Sequence, residues 1–379
     1  MILNDTQELV RDTARTFART RLAPNARAWE AAGAVPAEVF AEMGALGFLG
    51  MTVPEALGGA GLDYVSYALA LMEVAAGDGG ISTIMSVNNA PVCAILVSRG
   101  SPAQQKRFLR PLAAGDAIGA FALTEPQAGS DASALKMRAT RADGGYVLNG
   151  VKQFITSGRI AKVAITFAVT DPAAGKRGIT AFLVPSDAQG FRISGIEHKL
   201  GQQSSDTAQL TYEDVFVEES LRIGDEGEGY RIALANLETG RIGIAAQSVG
   251  MAEAALAYAT GYAKERKSFG KTLSEHQAVL FRLADMATQV AAARELTLAA
   301  AALKDAGRPC LKEACIAKLF ASEAAEAVAS AAIQVLGGYG YVSDYPVEKI
   351  YRDVRVCQIY EGTSDVQRMI IGRELLASD

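Results

Sequence analysis

The sequence predicts an α+β chain that is mostly helical: an N-terminal helical domain, a middle β-barrel or sheet domain, and a C-terminal four-helix bundle. Three observations predict it. Half of the 379 residues are hydrophobic, enough for more than one core in a chain too long for one ordinary domain. The hydrophobic pattern changes period twice, from helical to short β-branched runs and back again. Strands and helices do not alternate, no G-x-G-x-x-G follows an expected strand, and no G-x-x-x-x-G-K-[ST] occurs, all of which argue against a doubly wound nucleotide-binding sheet.

Residues 1–115 form the first part. Ala, Leu, Glu and Arg dominate, and Pro24, Pro36, Pro54, "GGAG" at 58–61 and Pro102 punctuate the helices. The opening "MILNDTQELVRDTARTFART" reads as an amphipathic helix that starts near Asn4-Asp5. "LDYVSYALALMEVAAGDGGISTIMSVNNAPVCAILVSRG" reads as two mostly buried helices with a glycine break between them. Residues 116–225 form the second part. "AIGAFALTE", "KMRATRADGGYVLNGVKQFITSG", "KVAITFAVT", "GITAFLVP", "FRISGIEH" and "TAQLTYEDVFV" are short, β-branched or aromatic, and separated by turn residues. "ADGGY" marks a hairpin turn. Residues 226–379 return to helix in three long Ala- and Leu-rich segments. Their nearly all-round apolar faces predict a bundle that also packs against other subunits.

Composition narrows the function. A net charge of −5 argues against general nucleic-acid binding. No uninterrupted apolar run reaches the ~18 residues of a bilayer span, and the N-terminus lacks the plan of a secretory signal. A soluble, cytoplasmic protein is expected, with no membrane and no nucleic-acid partner. The four cysteines, Cys93, Cys310, Cys315 and Cys357, form no C-x-x-C and read as small buried hydrophobes. With only His198 and His276, neither a histidine-based metal site nor a Ser-His-Asp triad is expected. Chemistry is left to carboxylates or to a cofactor.

One carboxylate stands out. In "IYEGTSD" (359–365), Glu361 follows an apolar run and precedes a small polar turn. In such a place it reads as a buried partner or as a base. In "ALTEPQAGSD", hydroxyls and free backbone N–H groups at a strand end suit a flat heteroaromatic with many acceptors, and the same composition also reads as an ordinary polar turn. "ERKSFG" ends a helix with charge and an aromatic, "QVLGG" follows a helix with glycines that allow close approach, and "LETGRIG" carries a charge pair.

Together, "FALTEPQAGSD" (121–131), "FITSG" (154–158), "ERKSFGKTLSEHQAV" (265–279), "QVLGGYGY" (334–341) and "IYEGTSDVQR" (359–368) resemble the acyl-CoA dehydrogenase family, in its order and over essentially the whole chain. "IMSVNN" (84–89), "GRIGIAAQSVG" (240–250) and "GGYGYVSDYPVEKIYRD" (337–353) are most similar to its short-chain, butyryl-CoA type. The resemblance implies the same three domains and FAD as cofactor. It implies flavin contacts at Phe121, Leu123, Thr124 and Ser130, with Ser130 also touching the acyl-CoA, and at Phe154, Ile155 and Thr156. The family usually has Trp where this chain has Phe154, which still covers a ring but lacks the indole N–H. Arg266 is implied to bind the FAD pyrophosphate of a neighbouring subunit, with Phe269 and Gln277 nearby. Gln334, Val335, Leu336, Gly337 and Gly338 would hold the adenosine end, again across a subunit boundary, and Thr363, Ser364 and Asp365 would also meet FAD. A homo-oligomer follows from the resemblance, a dimer at least and a tetramer by family habit.

For substrate, the resemblance implies Glu238, Arg241 and Gly362 beside Ser130. Glu238 is one methylene longer than the family's usual Asp. Glu361 matches the catalytic base. Some relatives carry the base on the "LETGRIG" helix, but position 240 here is glycine. The implied reaction is α,β-dehydrogenation of a short or short-branched acyl-CoA, with electrons handed to electron-transferring flavoprotein. Two alternatives stay open: an oxidase or monooxygenase on the same fold, separated by oxygen consumption, and a non-catalytic acyl-CoA- or FAD-binding protein, separated by whether the flavin bleaches.

Overall fold

A computed structural model describes residues 1–377, so the last two residues of the expected 226–379 segment lie outside it. Helix α1 (Asp5–Phe17) starts where Asn4 caps it. The Asn4 side chain accepts from the Gln7 N–H, and the Gln7 side chain accepts in return from the Asn4 N–H. Helices α2 (Ala26–Ala32) and α3 (Ala37–Ala45) follow. The expected buried pair begins with α4 (Tyr64–Gly77) and α5 (Gly79–Val87), parted at Asp78, whose carboxylate caps α5. The second member of that pair is not one helix. After α5 the chain passes through a wider turn, Asn88–Cys93, where Ala90 takes strand-like angles (φ −139°, ψ 106°), and then forms α6 (Ala94–Arg99). Pro91 disfavours the helical region for the residue before it, so Ala90 interrupts the helix. The short α7 (Pro102–Gln104) and α8 (Arg110–Ala114) complete the first part.

The strands of the main sheet occupy 119–223, a short Lys267–Ser268/Lys271–Thr272 hairpin lying apart from them: β1 (Gly119–Ala122), β2 (Arg138–Ala142), β3 (Gly145–Thr156), β4 (Val163–Val169), β5 (Ile179–Pro185), β6 (Phe191–Ile196), β7 (Thr207–Glu218) and β8 (Arg222–Ile223). They form one sheet in the order β6-β7-β3-β2-β4-β5-β8, with β1 parallel to β4. The path ends at β6 and β8, so the domain is an open sheet rather than a closed barrel. The hairpin of "ADGGY" joins β2 to β3, Ala142 pairing with Gly145 across Asp143 and a left-handed Gly144 (φ 73°).

Helix α9 (Gly229–Glu265) then runs for 37 residues, followed by α10 (Gln277–Asp305), α11 (Leu311–Leu336), α12 (Pro346–Val354) and α13 (Ser364–Ala377). Every residue from Thr239 to Ala252 is buried, and Gly250 brings α9 so close to α4 that a Cβ there would meet the Met72 carbonyl oxygen at 1.9 Å. The first and last parts of the chain therefore share a core. Leu69, Leu71 and Met72 of α4 pack with Ile242, Ala245 and Val249 of α9, and with Ala314 and Ala317 of α11. A second core lies under the sheet and a third joins α9 to α10, α11 and α12. The expectation about apolar length needs amending. Gly79–Arg99, Gly229–Glu265 and Leu311–Gly340 are long and apolar enough to cross a bilayer by length and composition. Most of the first two apolar stretches, and half of the third, lie buried in the cores that they build.

Candidate active site

Between α12 and α13 the chain turns a tight corner at Glu361 (φ 52°) and Gly362 (φ 91°). A left-handed glutamate is uncommon and persists only where its surroundings hold it. Two buried side chains hold this one. Lys318 Nζ of α11 donates to the Gly362 carbonyl at 2.6 Å, and Gln367 Nε2 of α13 donates to the same oxygen at 2.9 Å and to the Glu361 carbonyl at 3.3 Å.

The corner aims the Glu361 carboxyl at α9. A Cβ on Gly240 would stand 1.9 Å from Glu361 Oε2, so glycine at 240 is what leaves room for the carboxyl. Oε2 is buried and has no hydrogen-bond partner. Burial pushes the Glu361 carboxyl up to about 7, against the opposing pull of Lys318 and Arg241. Arg241, the next residue on α9, is 95% buried, its Nε unpaired.

Behind the corner, Tyr360 anchors the approach. Its hydroxyl donates to the Gln247 side-chain oxygen of α9 and lies 3.4 Å from Thr83 Oγ1 and 3.5 Å from Gln202 Nε2. Gln202 in turn bonds Asp353, which shares Lys349 with Asp78. This buried chain of polar groups ties α5, α9, α12 and the β6–β7 connection to the residue before Glu361. One turn along α9 from Gly240, a Cβ on Gly243 would meet Ser86 Oγ at 2.7 Å and the Tyr67 hydroxyl at 2.9 Å. Those two hydroxyls bond each other at 3.3 Å.

The sheet contributes a second group. The Gln153 N–H donates to the Thr124 carbonyl at 2.9 Å, which sets the segment after β1 beside the end of β3. Phe121 is half-buried against Phe167, and Phe154 is 61% exposed with left-handed backbone (φ 58°). Thr124 and Thr156 are half-buried and Ser130 is exposed. The Leu123 and Ile155 side chains lie in the core under the sheet, so what these two residues present outward is backbone. Beneath this face Lys152 donates to Glu125 at 2.8 Å and to the Leu123 carbonyl at 2.9 Å.

A third group lies at the far end of α9. Arg266 follows that helix with its guanidinium 5.4 Å from the centre of the Tyr339 ring. Phe269 is 96% exposed, and Gln277, Gln334, Gly337 and Gly338 are exposed too. Nothing lies within 4 Å of where a Cβ would stand on Gly337 or Gly338. Val335 and Leu336 are buried in the third core. From Arg241 to Arg266 is 25 residues of α9, about 38 Å at 1.5 Å per residue. The structure therefore brings Glu361, Gly362 and Arg241 together and holds Arg266 and its neighbours far from them. The Glu238 carboxylate is instead engaged by Lys304 at 2.9 Å and Cys310 Sγ at 3.3 Å. Thr363 and Ser364 start α13, Ser364 Oγ buried without a partner, and Asp365 points to solvent.

The sequence reading missed Lys318, Gln367, Gln247, Tyr67 and Ser86 around the Glu361 corner, and the Glu125–Lys152 pair under the sheet. Lys318 and Lys152 left a signal. Each is a single cation inside a short, mostly apolar stretch, "CIAKLF" and "VKQFI". Tyr67 and Ser86 left none, because their role depends on the glycine opposite.

Comparison with known proteins gives one answer along the whole chain. Models described as the N-terminal, middle and C-terminal domains of acyl-CoA dehydrogenase match residues 4–116, 120–215 and 227–376. An acyl-CoA dehydrogenase of Bacillus subtilis is 46% identical, over 99% of this chain and 99% of its own. The human mitochondrial short-chain specific acyl-CoA dehydrogenase is 45% identical, over 99% and 91%. Among solved structures, one described as the electron transferring flavoprotein of Acidaminococcus fermentans contains a chain that superposes with a TM-score of 0.98 at 43% identity, over 100% of both. Butyryl-CoA dehydrogenase of Megasphaera elsdenii superposes with a TM-score of 0.96 at 42%, over 99% of both. A glutaryl-CoA dehydrogenase of Mycobacterium smegmatis, in complex with FADH2, reaches 0.94 at 34%, over 99% and 96%.

Proposed function

The chain belongs to the acyl-CoA dehydrogenase family, and from that premise we propose that it oxidises a short or short-branched acyl-CoA to the trans-2-enoyl-CoA with FAD as cofactor and passes the electrons to electron-transferring flavoprotein. One observation carries the proposal: the Glu361 carboxyl, its Oε2 buried and unpartnered, pushed up to about 7 in the space that Gly240 leaves. A general base works best when its pKa lies near the operating pH.

The residues present fit FAD. An exposed Phe154 ring beside the half-buried Thr124 and Thr156 offers a face for a flat ring system, and Ser364 Oγ is a buried hydroxyl without a partner. Phe121, Thr124, Phe154 and Thr156, with backbone of Leu123 and Ile155, would hold the flavin, and Thr363 and Ser364 would meet it from the base loop. When bound, FAD supplies the acceptor for the β-hydride, which no side chain can do. The chain's own residues do the rest. Glu361 takes the α-proton. Its backbone N–H donates to no described residue and is free to polarise the thioester carbonyl. Glu361 Oε2 itself is buried and accepts no hydrogen bond from the protein, which leaves it free for the proton. Arg241 offers a fixed positive charge beside the site for the CoA portion.

Substrate length is supported by the α9 face. The Tyr67–Ser86 hydroxyl pair closes it at Gly243, about 4.5 Å along the helix from Gly240, so an acyl chain entering at the base meets a floor after a few carbons. Oligomerisation is supported by the third group. About 38 Å of α9 separates Arg266 from Arg241, and this supports our reading that Arg266 and Gln334–Gly338 serve the cofactor of a neighbouring subunit rather than the one beside Glu361. Exposed Phe269, Leu280, Phe281 and Tyr341 supply apolar surface for that contact, in a tetramer on our reading. The four cysteines are all free and buried, which supports a reducing compartment such as the cytoplasm.

The deciding experiment is anaerobic flavin reduction against butyryl-, isobutyryl-, 2-methylbutyryl-, isovaleryl-, glutaryl- and octanoyl-CoA. Fastest bleaching by butyryl-CoA or a short branched thioester is expected. A maximum at octanoyl- or glutaryl-CoA removes the short-chain reading. Rapid oxygen consumption during turnover removes the electron-transfer reading in favour of an oxidase.

A further inference from the structure

Lys318 is fully buried, and no carboxylate lies within ion-pair distance of it among the described residues. An ammonium without a bonded counter-ion is costly to bury, and a Met or Leu would fill the same space at less cost. What it does bond is the Gly362 carbonyl, the first acceptor after the base. The groups that face it are Glu361 from the corner, Arg241 from α9, Cys357 from the turn before the corner, and Cys315 from its own helix. Of these Glu361 is the one carboxylate, and it is held near the ammonium without touching it.

We propose that Lys318 is the positioning residue of the base: its ammonium pins the left-handed Glu361–Gly362 corner through the Gly362 carbonyl and supplies the counter-charge under which Glu361 ionises. The inference rests on the reading of Glu361 as the base. The geometry separates two tasks. A direct Lys–Glu bond would satisfy the carboxylate and deprive it of basicity. Bonding the neighbouring carbonyl leaves the carboxylate free while keeping a positive charge close by. Arg241 adds a permanent charge, but the Lys318 charge is titratable. Burial pulls the Lys318 ammonium down to about 8, with Glu361 opposing the fall. The base thus ionises, near 7, while the lysine is still charged. Above about 8 the neutral amine still donates to the carbonyl, so the corner stays pinned.

The test uses the FAD-loaded enzyme and reads the Glu361 carboxyl directly. Infrared difference spectra between about pH 5 and 9 follow its protonated C=O stretch, assigned by its loss in Glu361→Gln. The wild-type midpoint is expected near 7. In Lys318→Met it should rise by about 1 pH unit or more, because removing a nearby cation disfavours the carboxylate. The acid limb of flavin reduction by acyl-CoA should move with it. Lys318→Gln, which keeps a donor for the Gly362 carbonyl but no charge, should show the same higher midpoint with a plateau rate closer to wild type. It also gives the titration if the Met variant does not fold. Lys318→Arg should titrate as wild type. An unchanged midpoint in Lys318→Met or Lys318→Gln overturns the proposal. A wild-type enzyme that titrates near 7 but is bleached by no acyl-CoA sinks the proposed function and leaves the Lys318 assignment standing.

Discussion

Two carboxylates in this chain, each with an oxygen aimed into the protein, are built from the same parts and end in opposite states. Each has a fully buried lysine close by. Under the sheet, Lys152 bonds Glu125 directly at 2.8 Å, and the carboxylate also accepts from the backbone N–H groups of Lys136 and Met137 and from the Gln127 amide. Burial pushes the Glu125 carboxyl up, but the Lys152 charge and these hydrogen bonds hold it below the usual carboxylate range. Burial drags the Lys152 ammonium down to about 8, so the pair is ionised at neutral pH with the carboxylate the firmly charged member. At the corner, Lys318 bonds the next carbonyl instead, Oε2 has no donor, and burial takes Glu361 up to about 7. The lesson is that burial alone does not make a base. A carboxylate must be buried and also denied the donors that would satisfy it.

The comparison breaks most sharply on rate. Glu361→Gln should lower the rate of flavin reduction by acyl-CoA by about 10²–10⁴-fold while FAD stays bound, the range expected for losing a general base. A variant that still bleached at the wild-type rate would remove Glu361 from the chemistry. The paired site should instead break on stability. Lys152→Met leaves a buried carboxylate without its cation and should cost about 3–5 kcal/mol in urea unfolding. Adding Glu125→Leu should return much of that loss, because a pair replaced by apolar groups of similar size is close to neutral. A single variant as stable as wild type would mean that the Glu125 ion pair is not the settled structural element that its geometry describes.

How much of this contrast was legible in the sequence follows from which residues carry it. The three-part division and the strands were readable because period and turn chemistry are local; Asn4 as a cap and "ADGGY" as a hairpin needed only neighbours. Glu361 was readable because an acid after an apolar run is odd on its face. The setting that raises its carboxyl was not, since Gly240, Lys318 and Gln367 come from three different helices. The shared core of α4 and α9 was hidden for the same reason, as was the interruption at Ala90, where Pro91 was visible but the depth of the break was not. Arg266 and Gln334–Gly338 were identified through resemblance. The length of α9 then showed only that Arg266 lies far from Arg241 and the Glu361 corner.

The difference in protonation also predicts a stability effect with a definite sign. Glu361 has its folded pKa raised from 4.5 to about 7, so the folded state binds the proton more tightly than the unfolded chain. That contribution is fully present below about pH 4.5 and is lost as pH rises through about 7. An ionised Glu361 therefore costs the fold up to about 3 kcal/mol at pH 8, at about 1.36 kcal/mol for each tenfold difference in proton affinity between the folded and unfolded chain. Glu361→Gln should be more stable than wild type at pH 8 by an amount approaching that value, and close to it in stability near pH 4. Equal unfolding midpoints at both pH values would show that the carboxyl is not strained by burial as its surroundings imply.

The smallest effect should come from the glycine that makes the space. Ala at 240 favours the helix by about 0.5–1 kcal/mol over Gly, because it restricts the unfolded chain more and buries a methyl group. Its Cβ would stand 1.9 Å from Glu361 Oε2, so one of the two must move. The backbone of α9 cannot, since Thr239 to Ala252 are packed on every side. The carboxyl can, because it ends a flexible side chain and Oε2 forfeits no hydrogen bond by leaving. Gly240→Ala should thus hold its stability to within about 1 kcal/mol while flavin reduction slows and FAD is retained. In the paired site no such separation exists, because displacing Glu125 breaks its bonds to Lys152, Lys136, Met137 and Gln127 at once. A Gly240→Ala enzyme that reduces its flavin at the wild-type rate would show that the carboxyl works from a position other than the one against α9, and the contrast between the two acids would then rest on pairing alone.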